Sequence, residues 1–217
     1  MVGTAISDSA AGTAQRSSQD MRGAERFALL IRGAKLISEI AEFLCVIRDV
    51  SETGLRIKLF HPLPAETRLA IELANGDFYF IERVWETEGE AGFRFAAPID
   101  VAQFIAEDSL FPRRPLRLRL SVPALLTADK VATVVRLHDL SQHGACIEAA
   151  RHLAIGQQIK LEPEGLPDLI ANVCWRSLPE YGVVFKNSFA FDELARFAAA
   201  IQTAPQRPLE PGARVTR

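Results

Sequence analysis

Apolar and polar positions alternate in several short runs along this chain. Leu55, Ile57 and Leu59 alternate with Arg56 and Lys58, the period of two that marks a half-buried strand. Residues 68–73, Arg-Leu-Ala-Ile-Glu-Leu, predict a second strand, residues 78–85 its partner and residues 92–95 one more. Asn75-Gly76 is a hairpin signal, because both residues tolerate positive φ. Leu118 and Leu120 flank Arg119, which places that arginine on the polar face of a strand. Residues 158–161, 171–175 and 182–185 predict further strands. The pattern turns helical over residues 100–107, opened by Asp100 as a good N-cap residue. It does so again over residues 192–201, where Leu194, Phe197, Ala198 and Ile201 share one face. Many short strands followed by a helix suggest a small closed barrel with the helix packed on it.

The pattern is duplicated. Asp49, Ser51, Gly54 and Ile57 recur as Asp139, Ser141, Gly144 and Ile147, each 90 positions later. Trp85, Gly92 and Phe95 recur at the same offset as Trp175, Gly182 and Phe185. Separated clusters that keep one offset across rare residue types imply a repeated domain. Residues 1–20 are rich in Ala, Ser, Gly and Thr without periodicity, which predicts a disordered tail. Residues 204–217, rich in Pro and Arg, predict a loose C-terminal tail. The expected division is therefore a first domain at 21–107 and a second at 108–203.

Composition narrows the class of function. A net charge of −2 supplies no bulk basic field for DNA or RNA. No aromatic–basic stacking pattern points to single strands either. A negatively charged partner would have to bind through a local cluster. Cys45, Cys146 and Cys174 match neither a zinc spacing nor a disulfide framework, and read as buried free thiols in a reducing compartment. No apolar run is long enough to span a bilayer, and the N-terminus lacks the apolar core of a secretory signal. The expected location is the cytoplasm.

Two motifs carry candidate chemistry. The first is an Asp-x-Ser-x-x-Gly turn, Asp49-Val-Ser-Glu-Thr-Gly54 and again Asp139-Leu-Ser-Gln-His-Gly144. Taken alone, such a run is an ordinary turn. The second lies upstream, Arg22-Gly-Ala-Glu-Arg26 and Arg113-Arg-Pro-Leu-Arg117. Arg26 precedes Asp49 by 23 residues and Arg117 precedes Asp139 by 22. A lone arginine pair is usually a solvated face, but here the whole arrangement is repeated.

The order and spacing of these motifs resemble the PilZ family. The later Trp and the Gly-x-x-Phe strand agree with it. The resemblance implies a mainly β protein of two tandem six-stranded barrels, each followed by a C-terminal α-helix. It also implies a non-enzymatic receptor for cyclic di-GMP, with no other cofactor. The implied ligand-binding residues are Arg113, Arg114, Arg117, Asp139, Ser141 and Gly144, and in the first copy Arg22, Arg26, Asp49, Ser51 and Gly54. The residue types suit that ligand. A guanidinium grips a phosphate by a bidentate fork, stacks on a purine, or binds the O6/N7 edge of guanine. An Asp carboxylate accepts guanine N–H groups or orients an arginine, and Ser offers a short hydroxyl. Gly permits positive φ and close approach of the backbone to the ligand.

The copies are not equal. The second adds Arg114. The first has Gly23 at the position of Arg113, with Glu25 and Glu52 within its motifs, and these carboxylates weaken attraction for a dianion. The second copy is the expected better binder. Asp139, Ser141 and His143 lie too close along the chain to converge as a catalytic triad, and Trp85 and Trp175 are read as core residues. Because Arg113 and Arg117 lie between the domains, ligand capture is expected to reset the orientation of the barrels. The competing reading is a degenerate PilZ-type adaptor that binds a protein partner and no nucleotide. Under either reading a protein partner in control of motility or exopolysaccharide is compatible.

Overall fold

The computed structural model describes residues 27–106 and 115–204, with side chains from Arg32 onward. The first barrel is formed by β1 (Phe27–Ile37), β2 (Glu42–Val50), β3 (Gly54–Lys58), β4 (Arg68–Glu72), β5 (Phe78–Thr87) and β6 (Glu90–Phe95), followed by α1 (Val101–Ala106). The second comprises β7 (Leu118–Ala128), β8 (Val131–Leu140), β9 (Gly144–Glu148), β10 (Gln158–Pro163), β11 (Leu169–Ser177) and β12 (Glu180–Phe185), followed by α2 (Phe191–Thr203). Both sheets close, in the orders β1-β2-β3-β6-β5-β4 and β7-β8-β9-β12-β11-β10. The topology is duplicated strand for strand, as the repeated motifs and the resemblance led one to expect. Closure removes the open sheet edges that invite aggregation.

β7 shows how the pattern makes a barrel wall. Leu118, Leu120, Val122, Ala124, Leu126 and Ala128 are buried, and the residues between them face outward. Arg119 is on the outer face, as its flanking leucines predict. Asp100 caps α1 through its carboxylate, which accepts the Gln103 N–H at 3.1 Å. Gly76 turns the β4–β5 hairpin with φ of +94°. The β7–β8 hairpin lacks any such glycine signal; Asp129 and Lys130 adopt φ of +51° and +64° themselves, the two positive values a tight two-residue turn requires.

β2 departs from alternation. Phe43, Leu44, Cys45, Val46 and Ile47 are all buried. Its inward residues Phe43, Cys45 and Ile47 belong to the core of barrel 1, whereas Leu44 belongs to the core of barrel 2. Reciprocally, Ala199 of α2 packs into the core of barrel 1. On β1, Gly33 has no room for a side chain, since a Cβ there would lie 2.7 Å from the Phe191 ring. Phe191 also meets Phe60 edge-on, with ring centroids 6.0 Å apart. The barrels therefore share an apolar seam between β1, β2 and α2. Burying a leucine such as Leu44 there is worth about 2 kcal/mol. Among the described residues no helix is long and apolar enough to cross a membrane.

Candidate ligand-binding site

Each Asp-x-Ser-x-x-Gly run forms the tight link between two neighbouring strands, β2–β3 in barrel 1 and β8–β9 in barrel 2. The Ser51 N–H donates to the Gly54 carbonyl at 2.8 Å, and Ser141 N–H does the same to Gly144 at 2.9 Å. The hydroxyls work inside the turn. Ser51 Oγ accepts the Gly54 N–H at 3.2 Å, and Ser141 Oγ donates to the Gly144 carbonyl at 2.9 Å. Ser51 and Ser141 are both buried, so these hydroxyls staple the loop.

The glycines have a different reason from the one their motif suggests. Neither Gly54 nor Gly144 has positive φ. What excludes a side chain is the facing strand: an added Cβ would lie 2.5 Å from the Phe93 carbonyl oxygen at Gly54 and 2.2 Å from that of Val183 at Gly144. The close approach is between strands of the same barrel.

The aspartates sit at strand irregularities. Pairing of β2 with β3 shifts between Ile47 and Asp49, and that of β8 with β9 shifts between Leu137 and Asp139. Such a bulge re-aims a side chain. Asp139 Oδ1 receives Arg117 Nη1 at 2.6 Å and the Cys146 N–H at 3.0 Å. The upstream arginine and the turn aspartate, 22 residues apart in sequence, thus meet in barrel 2. In barrel 1, Asp49 Oδ2 receives Arg56 Nε at 2.7 Å, and Arg56 also reaches Glu90 at 3.4 Å. Arg22, Arg26, Arg113 and Arg114 lie outside the described residues.

Arg56 and Cys146 occupy the same repeat position, 90 residues apart. The Cys146 thiol is pushed up to about 11, first by burial and then by the neighbouring Asp139 and Glu180 charges. Burial alone pushes Cys45 up to about 12. Both thiols are buried as expected, but Cys174 is exposed, because it falls on the outward face of β11.

The tryptophans correct the sequence reading. Trp85 and Trp175 are 41% and 40% exposed, not core residues. Each follows a register shift and faces a glycine across the strand pair, Gly92 for Trp85 and Gly182 for Trp175. A Cβ at Gly92 or Gly182 would come within 2.1 or 1.9 Å of the indole nitrogen, so the ring lies flat over the glycine. The shared offset of Trp and Gly was the available signal; the outward aim follows from the bulge. In barrel 1 this indole lines a surface cavity of about 220 Å³ with Asp49, Ser51, Gly54, Arg56 and Arg94. Arg94 is itself paired with Glu82 at 2.8 Å, a contact that holds the Glu82 carboxyl below its usual range.

Among solved structures the chain is similar to the Borreliella burgdorferi PlzA protein in complex with c-di-GMP, at 12% identity, covering 82% of this chain and 94% of that one with a TM-score of 0.34. It is similar to the Bacillus subtilis inhibitor of motility MotI/DgrA at 12% identity, covering 82% and 100% with a TM-score of 0.35. It is also similar to Escherichia coli YcgR in complex with c-di-GMP, at 15% identity, covering 76% and 80% with a TM-score of 0.31. No curated protein matches the sequence. The model of the PilZ domain matches residues 109–202, which hold all of barrel 2, its turn motif and Arg117. The PilZ match therefore falls on the second barrel and leaves the first outside it.

Proposed function

We propose that the chain is a receptor for cyclic di-GMP and that barrel 2 is its binding domain. The observation that supports this most directly is the meeting of Arg117 with Asp139 at 2.6 Å. It joins the two halves of the motif beside a surface open to solvent. Neither group is locked in place: the side chains are 47% and 27% exposed, and an ion pair of that exposure is worth no more than ~1 kcal/mol. A ligand can therefore enter between them. Arg117 would turn to a phosphate or a guanine O6/N7 edge. Asp139 would accept guanine N–H donors in exchange. Arg113 and Arg114 would add charge from the segment just upstream. Gly144 lets β9 approach the facing strand β12, and Ser141 closes the turn. The role is binding and signalling, without a reaction.

Barrel 1 offers a poorer site. Asp49 is already neutralised by Arg56, Arg56 by Glu90, and Arg94 by Glu82. A dianion would have to break these pairs before binding Arg22, Arg26, Asp49, Ser51 and Gly54 as a set. We assign barrel 1 a scaffold role and expect one dominant binding event per chain. Signalling would follow from a change in how the barrels sit together once the segment carrying Arg117 holds ligand, since a ligand shifts an arrangement it prefers.

The adaptor reading draws support from one feature of barrel 1. Phe78, Phe80 and Val84 stand on the outer face of β5, and each is exposed. Calorimetric titration with cyclic di-GMP, beside a linear control dinucleotide, separates the two readings. The receptor reading expects saturable heat with the cyclic ligand, lost in proportion when Arg117 is removed. No heat from the cyclic ligand, with the fold intact by circular dichroism, would leave the adaptor.

A further inference from the structure

The first residues of β7 pair with β8 on one side, but on the other side no strand of barrel 2 reaches them. β10 pairs with β7 over Ala124–Thr127 and does not reach Arg117 or Arg119. Two side chains from barrel 1 stand there instead. Lys35 Nζ donates to the Arg117 carbonyl at 3.2 Å. The Glu42 carboxylate accepts the Arg119 N–H at 2.7 Å. The C=O of one strand residue and the N–H two residues later point the same way, so this lysine–glutamate pair meets the edge as a neighbouring strand would.

Lys35 is 5% exposed, which is rare for lysine unless it is paired. Its ammonium has three donors, and three acceptors surround it: Glu42 at 3.3 Å, Glu72 at 3.0 Å and the Arg117 carbonyl. Glu42 is tied again through its backbone. Its N–H donates to Gln202 Oε1 at 2.9 Å, and its carbonyl accepts Gln202 Nε2 at 2.6 Å. One residue of β2 therefore holds both the start of β7 and the end of α2.

We propose that Lys35 and Glu42 are positioning residues for Arg117, so that barrel 1 completes the binding site of barrel 2. They fix the backbone from which the Arg117 guanidinium reaches Asp139. The ligand part of this inference rests on the receptor reading; the geometric part does not. The same network gives ligand capture a route to barrel orientation, because any pull on residues 117–119 is felt at Glu42 and, through it, at α2.

Two measurements on the full chain decide it. Amide hydrogen exchange needs no ligand. In Glu42→Ala the Arg119 amide should exchange roughly 10-fold faster or more, while the amides of Val135 and Leu137 in β8 keep their rates. Glu42→Gln, which retains an acceptor oxygen, should restore most of that protection. Unchanged exchange at Arg119, or a uniform rise across barrel 2, overturns the proposal. The second measurement is a double-mutant cycle on cyclic di-GMP affinity. Lys35→Met should weaken binding about 10-fold in the parent and have no further effect beside Arg117→Ala. Additive losses would mean that Lys35 supports the fold without acting through Arg117. Lys35→Arg, which keeps a cation, should bind within a few fold of the parent and serves if the methionine variant does not fold. A parent chain that ignores cyclic di-GMP would end the receptor reading, and the exchange data would still decide the positioning role.

Discussion

The two barrels present the same turn on the same topology, yet their aspartates keep different company. In barrel 1, Asp49 faces Arg56 on the adjacent strand β3, and that arginine is shared with Glu90. In barrel 2 the matching position is Cys146, a neutral thiol, and Asp139 is met by Arg117 from the segment between the barrels. A single repeat position therefore sets whether the carboxylate is closed within its own barrel or linked to a group from outside. Charge count alone does not capture this, since among the described residues each aspartate has one arginine. What differs is where the arginine is anchored. Arg56 rises from the middle of a paired strand, so displacing it leaves Glu90 and Asp49 close together. Arg117 precedes the first residue of β7, where the chain enters the barrel.

The largest expected effect tests whether the turns matter equally. Gly144→Ala would drive a Cβ to 2.2 Å from the Val183 carbonyl oxygen. It should destabilise barrel 2 by about 3 kcal/mol and reduce cyclic di-GMP binding with it. Gly54→Ala, at 2.5 Å from the Phe93 carbonyl, should cost barrel 1 a similar amount and spare affinity. Urea unfolding and calorimetry on both variants check this, and equal loss of binding would erase the distinction between the barrels.

The arginines come next. Arg117→Ala should weaken cyclic di-GMP by roughly 10- to 150-fold, the worth of one or more charge-assisted hydrogen bonds. Arg56→Ala should change affinity by less than about threefold, and stability by less than ~1 kcal/mol, because its side chain is partly exposed. The opposite ranking in calorimetry would move the site to barrel 1.

The smallest effect concerns the thiols. Below pH 9 the buried thiols are protonated in folded and unfolded chains alike, so their burial is fully stabilising. As pH rises from 9 toward 11 at Cys146, and toward 12 at Cys45, the unfolded chain ionises first and stability falls. Unfolding midpoints at pH 8 and pH 10.5 should show this decline, and Cys146→Ala should lessen it. At pH 8 an alkylating reagent should modify the exposed Cys174 and spare the other two. Fast labelling of Cys146 would show that barrel 2 opens locally around β9.

Much of the fold is legible in the sequence. Strands of clear alternation, such as β3 and β7, and the capped α1 were read from period and end signals. β2 was not, because its apolar run has no period of two: Leu44 points away from barrel 1 and is buried at the seam, and Val46 is buried as well. The β7–β8 hairpin was missed because Asp129-Lys130 carries no glycine. At the site, the motif residues were legible as types but their tasks were not. Serine and glycine in each turn serve the loop and the facing strand. The tryptophans were misplaced inside because a large aromatic is ordinarily core, and nothing local announces a bulge. Lys35 appears in the sequence as one of two charges within an apolar run, with no hint of the three acceptors around it.

By itself the sequence determined the repeat, the barrel class and the local build of the Asp-x-Ser-x-x-Gly turn, since those follow from side-chain period and from contacts a few residues long. The tertiary structure decided which arginine reaches which aspartate, why each glycine is needed, and that barrel 1 lends two side chains to the edge of barrel 2. The reason is physical. Those contacts join residues 7 to 160 positions apart, and their geometry depends on strand register, bulges and the packing of α2, where a shift of one residue sends every side chain to the opposite face.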